Sequence, residues 1–146
     1  MFDTSPDGLL RLIKQGESQT VEFQLLVPPS EIIARNFAAF ANSEGGILLL
    51  GVGDDGSIIG LTDREANEAM VLLQHVADSL LSWPIGIGTT LVEAKKVVYA
   101  IIDKAPEHLA PIVTARGEVF TRVGQQTRPM PLSEYVRTTS SPPRSI

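Results

Sequence analysis

A short apolar run enclosed by glycines constrains the fold of this chain more than any other feature. Residues 47–50 read Ile-Leu-Leu-Leu, directly after Gly45 and Gly46, with no polar residue in alternation. A strand that is apolar at every position is covered on both faces, and four residues are too few for a stable lone helix. We therefore predict a central strand here, followed by a tight turn at Asp55-Gly56 and a returning strand over residues 57–60.

Helices are predicted on both sides of this strand. Ser5 before Pro6 is typical of a helix start, and Gly16 of a helix end, which gives a helix over residues 6–15. Ser30 is expected to cap a second helix that runs to about residue 42. The longest helix begins at Thr62, which forms a capping box with a glutamate three residues later. Its apolar residues recur at helical spacing until the chain reaches Trp83-Pro84.

The remaining segments indicate strands. Residues 21–25 alternate between apolar and polar types, as in a strand with one buried face. Residues 89–94 and 97–102 are predicted to pair through a turn at Lys95-Lys96. A second hairpin is predicted to flank residues 116–118, and a last helical turn is expected at residues 133–137. The class is therefore α+β: a mixed or antiparallel sheet with helices packed on it. We expect one domain over residues 1–137 and a disordered tail over residues 138–146.

Composition excludes several classes of protein. The chain has 146 residues and no cysteine, which rules out disulfides, zinc-thiolate sites and thiol catalysis. No apolar run approaches the roughly 20 residues of a membrane span, and the acidic N-terminus is unlike a signal peptide, so a cytoplasmic location is expected. The formal net charge of -5 argues against broad non-specific binding of nucleic acid, which needs lysine and arginine to neutralise phosphates.

Three acidic residues bracket the predicted strand pair and are candidates for a metal site. Glu22 and Asp54 can meet at one rim of the sheet if their strands are neighbours. Glu17 lies five residues before Glu22, so a bend near residues 18–20 is required to bring the two together. Three converging carboxylates would suit Mg²⁺ or Mn²⁺, which could activate water at a phosphodiester. The alternative is that all three are ordinary surface residues.

Basic residues concentrate in the C-terminal half, where Arg116, Arg122 and Arg128 surround the predicted hairpin. A β-ribbon with protruding arginines can contact phosphates. The alternative is ordinary solvated charge on a strand. The spacing Gly-x-Gly-x-x-Gly over residues 51–56 is not interpreted as a dinucleotide site, because that motif requires a helix starting at its glycines.

Four motifs together resemble the Schlafen Alba-like domain family. They are Glu-Ser-Gln-Thr-Val-Glu-Phe at 17–23, Ala-Ala-Phe-Ala-Asn-Ser-Glu-Gly-Gly at 38–46, Leu-Leu-Gly-Val-Gly-Asp-Asp-Gly at 49–56, and Phe-Thr-Arg-Val-Gly at 120–124 with Thr127 beyond. The resemblance spans about residues 9–128. It implies a DNA-binding or regulatory domain. A related module in animal Schlafen proteins cleaves structured RNA through two glutamates and an aspartate, which would correspond to Glu17, Glu22 and Asp54.

The chain departs from the family pattern at two positions beside these acids. Gln24 stands where lysine is common, and Gly53 where an acid is frequent. The missing lysine removes a phosphate-binding charge beside the proposed site, which weakens the case for cleavage. Three hypotheses follow: a nucleic-acid-binding regulatory domain without chemistry, a metal-dependent RNA or DNA phosphodiesterase, and a protein-interaction or nucleotide-sensing module. A symmetric homodimer is also expected from the resemblance and from the small size of the sheet.

Overall fold

The computed structural model describes residues 2–131 of the chain. Local signals in the sequence place most of its helices and strands, and helices alternate with strands only as far as α3. The elements are α1 (Pro6–Gln15), β1 (Val21–Gln24), α2 (Ser30–Ala41), β2 (Gly46–Leu50), α3 (Asp63–His75) with a π-helical extension (Val76–Leu81), β3 (Ile85–Val92), β4 (Lys95–Ile102), a 3₁₀ turn (Glu107–Leu109), β5 (Phe120–Val123) and β6 (Gln126–Pro129).

The main sheet has four strands in the order β1-β2-β4-β3. β1 runs parallel to β2, and the other neighbours are antiparallel. This mixed sheet with helices on it confirms the predicted α+β class. All five residues of β2 are buried, as expected for a strand covered on both faces.

Alternate residues of β2 enter two separate hydrophobic cores. Leu48 and Leu50 belong to a core shared with α2 and α3. Ile47 and Leu49 belong to a smaller core on the opposite face, which α1 covers with Leu9 and other side chains. The fold is therefore layered, with the sheet between α1 on one side and α2 and α3 on the other.

Two helix starts follow their predicted chemistry and one does not. The Ser5 side chain accepts a hydrogen bond from the backbone of Gly8. Thr62 and Glu65 form the reciprocal capping box. The prediction that Ser30 caps α2 is wrong, because Ser30 is already inside the helix. Pro29 precedes it and offers no side-chain hydrogen bond.

Three predicted β features need correction. The turn between β3 and β4 lies at Glu93-Ala94, two residues before the predicted position, with φ of 50° and 64°. Residues 57–60 form no strand, only a single bridge between Val52 and Ile58. The last hairpin joins β5 to β6 as a separate two-stranded sheet. Residues 116–118 instead form a compact turn, in which the Thr114 N–H donates to the carbonyl of Glu118.

No helix within residues 2–131 has the length and apolar character needed to cross a membrane. The helical turn predicted at 133–137 and the tail predicted at 138–146 lie outside the described residues.

Candidate functional site

Glu17 and Glu22 come together through the bend that the sequence requires. Ser18 and Val21 form an isolated antiparallel bridge, with a turn between them that reverses the chain just before β1. The Glu17 carboxylate then accepts a hydrogen bond of 3.1 Å from the backbone N–H of Phe23. Glu17 therefore lies alongside the first residues of β1, next to Glu22.

A buried arginine neutralises Glu22. Arg122 Nη1 lies 2.8 Å from Glu22 Oε1, and the exposed fractions of the two side chains are 1% and 14%. The other carboxylate oxygen accepts a 3.0 Å hydrogen bond from Gln24 Nε2. The Arg122 guanidinium also lies over the Phe40 ring of α2, 4.9 Å from its centroid. The prediction that Arg122 is a surface contact for phosphate is therefore wrong, because its charge is committed inside the fold.

Arg122 also contributes to covering the open edge of β1. The Thr20 and Gln24 carbonyls accept from N–H groups on the β2 side, so the Val21 carbonyl, which is out of phase with them, faces away from the sheet. That carbonyl accepts from the Ser18 N–H and, at 3.1 Å, from Arg122 Nη2, which also donates to the Ser18 carbonyl. Unpaired strand edges invite association with other chains. Arg122 thus has a structural role that ties β5 to the edge of the main sheet.

The surroundings of Glu22 raise the pKa of its carboxyl group. Burial is the largest cause, since it penalises the charged form. The hydrogen bond from Arg122 acts in the opposite direction, and the nearby charge of Glu17 adds to the increase. The net result is a carboxyl that is harder to ionise in the folded protein than in an unfolded chain.

Asp54 does not join the two glutamates in a metal site. It is exposed in the turn after Val52. Within residues 2–131, no group of three or more His, Asp or Glu side chains is positioned to hold a metal ion. The predicted convergence of three carboxylates is therefore wrong. The site also does not fit a divalent cation well, because the Arg122 guanidinium already occupies the cation position beside Glu22.

The other two predicted arginines lie on the surface. Arg116, in the turn before β5, forms a salt bridge with Glu31 of α2. Arg128 lies in β6 opposite Thr121, exposed to solvent. Its described hydrogen bonds go to the Gln126 side chain, a neutral group. The outer face of the β5–β6 hairpin therefore presents a cation.

A groove that the sequence did not reveal lies between α2 and the inner face of the β5–β6 hairpin. Its volume is about 500 Å³, and Arg35, Asn36, Phe120 and Thr127 are among the residues that line it. The available signal was in α2. Asn36 is a polar residue in the part of that helix that is otherwise mostly apolar, and it is only 6% exposed. A buried amide at such a position indicates a specific polar partner.

Comparisons with known proteins agree with this architecture. The family model described as Schlafen, AlbA_2 matches residues 17–131, and the chain belongs to this family. The search of curated proteins found no match.

Two solved structures have a similar fold. The DIP2311 protein from Corynebacterium diphtheriae is 24% identical with a TM-score of 0.60, over 84% of this chain and 28% of that one. The N-terminal domain of a protein described as related to the ATP-dependent DNA helicase RecG, from Nitrosomonas europaea, is 20% identical with a TM-score of 0.59. That match covers 85% of this chain and 92% of the domain. This chain thus spans little more than a quarter of the DIP2311 chain.

Proposed function

We propose that this chain is a nucleic-acid-binding domain that performs no chemistry of its own. The observation that carries the proposal is the exposed guanidinium of Arg128 on a two-stranded β-ribbon, with no carboxylate partner among residues 2–131. Ribbons of this kind present side chains to the backbone or grooves of nucleic acids. The similar domain from the RecG-related protein supports the same class of partner. In its more specific form, the proposal is that the domain has a regulatory role on DNA in the cytoplasm.

The distribution of charge favours a small, local contact. The net charge of -5 opposes binding over a wide surface. Several basic side chains are also paired with carboxylates, including Arg11, Arg64, Lys96 and Arg116. A paired cation contributes less to the field that attracts a phosphate. Lys14, Lys95 and Lys104 also have no ion pair among residues 2–131, but they lie away from the β5–β6 ribbon, so Arg128 is the cation that the ribbon itself presents.

Substitution of Arg128 tests this proposal. Arg128→Ala should weaken binding to single-stranded and duplex DNA alike, because a phosphate contact carries no sequence or strand preference. The slope of log affinity against log salt should become shallower by about 0.7–0.9. Fluorescence anisotropy at several salt concentrations measures both quantities. Arg64→Ala, on α3, is the matched control and should bind as the parent does. Equal binding by Arg128→Ala and the parent would refute the proposed contact. No salt-dependent binding by the parent would leave the protein-interaction or nucleotide-sensing hypothesis.

A metal-dependent phosphodiesterase is the second candidate, and the proximity of Glu17 to Glu22 is the observation that favours it. The pairing of Glu22 with Arg122 and the exposed position of Asp54 oppose it. Titration with Mg²⁺ or Mn²⁺ distinguishes the two candidates. A bound cation would raise the melting temperature of the parent more than that of Glu22→Gln. We expect equal shifts and no cleavage of structured RNA.

A further inference from the structure

The groove between α2 and the β5–β6 hairpin contains a buried hydrogen-bond donor that no described residue satisfies. The Arg35 Nε atom is buried and has no partner within residues 2–131. The Asn36 amide oxygen accepts a 2.9 Å hydrogen bond from the Thr127 hydroxyl, which itself accepts from Arg122. This chain of bonds fixes the orientation of Asn36 and leaves its Nδ2 group to donate elsewhere. A buried donor without an acceptor is unfavourable, so a small shift of the partly exposed Arg35 side chain that brings Nε to a ligand acceptor would be stabilised.

The walls of the groove suit a flat ring. The Arg35 guanidinium lies over the Phe120 ring, 5.3 Å from its centroid, and the Arg35 side chain is 33% exposed. Its outer face is thus partly open, and guanidinium planes stack on nucleobases. Ile32 and Pro129 add apolar surface. The volume of about 500 Å³ lies within the usual range for small-molecule sites.

The charge of the groove argues against a lone phosphate as its ligand. Glu118 lines the groove, with its carboxylate 3.7 Å from Arg35 Nη2. A free dianion would be repelled by this carboxylate. A neutral ring that carries both a carbonyl and an amino group would not be repelled. It could accept from Arg35 and Asn36 and donate to Glu118.

We propose that this groove binds one unpaired nucleobase of a nucleic-acid strand. The inference rests on the proposed function and adds to it a preference for single-stranded ends or loops. A base in a duplex has both faces covered by its neighbours and its pairing edge occupied, so it cannot enter the groove. A splayed base offers its ring and its edge together.

The test compares single-stranded and duplex DNA of the same sequence, each with the parent and with Arg35→Lys. Lysine keeps the charge but removes the plane and the Nε–H donor. We expect Arg35→Lys to lose at least about fivefold in affinity for the single strand and to keep its affinity for the duplex. Asn36→Asp retains the acceptor for Thr127 and removes the Nδ2 donor. It should likewise lower the affinity for the single strand relative to the affinity for the duplex. Using the ratio of the two affinities cancels any loss of folded protein.

The outcomes distinguish failure of the base-binding inference from failure of the proposed function. If the parent binds both nucleic acids and the ratio is the same in Arg35→Lys, the groove is not a base site and the proposed function stands. If Arg35→Lys weakens both equally, the ratio is again unchanged, and the inference fails in the same way. If the parent binds neither, the proposed function fails and the inference fails with it. Arg128→Ala serves as the control, because it should weaken both affinities without changing their ratio.

Discussion

Arg122 connects three parts of the fold through one side chain. It pairs with Glu22 in β1, lies on Phe40 of α2 and donates to the Thr127 hydroxyl in β6. Its Nε atom is buried and makes no hydrogen bond with the described residues, so one donor of the guanidinium has no acceptor there. Removing one partner of a buried ion pair leaves the other charge unpaired in a medium of low polarity.

Arg122→Met should therefore destabilise the protein strongly. We expect the free energy of unfolding to fall by about 3–5 kcal/mol, the usual cost of breaking a buried ion pair. Urea denaturation followed by circular dichroism measures this change. Arg128→Met is the matched control on the adjacent strand, and as an exposed residue it should change stability by no more than about 0.5 kcal/mol. Similar, small effects of both substitutions would mean that Arg122 is not part of the core.

Glu22 should give the protein a specific dependence on pH. Its pKa is higher in the folded state than its ordinary value of 4.5. At a pH between these two pKa values, Glu22 loses its proton readily in the unfolded chain but keeps it in the folded protein. Ionisation therefore favours the unfolded state in this range. The stability that Glu22 contributes is thus fully present below about pH 4.5, and it is lost as the pH rises through the pKa that Glu22 has in the folded protein.

The comparison of the parent with Glu22→Gln isolates this effect from the other acids. The stability of the parent relative to Glu22→Gln should decrease as the pH rises above about 4.5, and should then level off. Urea denaturation of both proteins between about pH 4 and pH 7 provides the data. A difference that increases with pH would show that Arg122, and not burial, dominates the pKa of Glu22.

The helices and strands that agree with the sequence-based prediction are those with strong local signals. α1 and α3 have capping residues at their first positions, and β2 has an uninterrupted apolar run. The position of the final hairpin differs from the prediction because residues 112–115 have strand-like composition but no partner strand within residues 2–131. The hairpin turn at Gly124 has a positive φ of 57°. The sequence Gly-Gln at 124–125 was available as a turn signal.

The β3–β4 turn offers a stabilising substitution. Glu93 and Ala94 both adopt positive φ, a conformation that costs a residue with a side chain roughly 1–2 kcal/mol. Ala94→Gly relieves that cost at one position, and we expect a gain of up to about 1 kcal/mol once the greater freedom of glycine in the unfolded chain is included. Thermal denaturation is a sufficient measurement. Ala66→Gly, at a buried position inside α3, is the control and should lose at least about 1 kcal/mol, because the lost core methyl adds to the helix cost. A loss of stability in both variants would contradict the positive φ of Ala94 in the β3–β4 turn.

At the scale of the molecule, part of the site could be inferred from sequence. Five-residue spacing between Glu17 and Glu22 required a bend, and the Ser18–Val21 bridge provides it. The partner of Glu22 could not be inferred, because Arg122 is 100 residues away and only the packing of β5 against α2 brings it there. Alternation along β5 did place Arg122 on the same face as Phe120, which is buried. That pattern alone argued against a surface position.

The edge strand β3 is a possible contact between two copies of the chain. Among residues 2–131 it pairs on one side only, with β4, and its other side is available to a strand of a second copy. We expect a symmetric dimer with twice the chain mass of 15.7 kDa. Light scattering coupled to gel filtration, repeated over a range of micromolar concentrations, gives the mass directly. A mass equal to that of one chain at every concentration would exclude the dimer.

The β5–β6 hairpin has its own two-stranded sheet, and this separation has a consequence for the order of folding. Its two strands are adjacent in sequence, whereas the bonds that attach it to β1 join residues about 100 positions apart. Closing such long loops is entropically costly and slow relative to local pairing. Docking of the hairpin is therefore expected to be the last step, after the four-stranded sheet has formed. In refolding kinetics, Arg122→Met should then raise the unfolding rate and leave the folding rate nearly unchanged, because the contact of Arg122 with β1 forms only after the rate-limiting step.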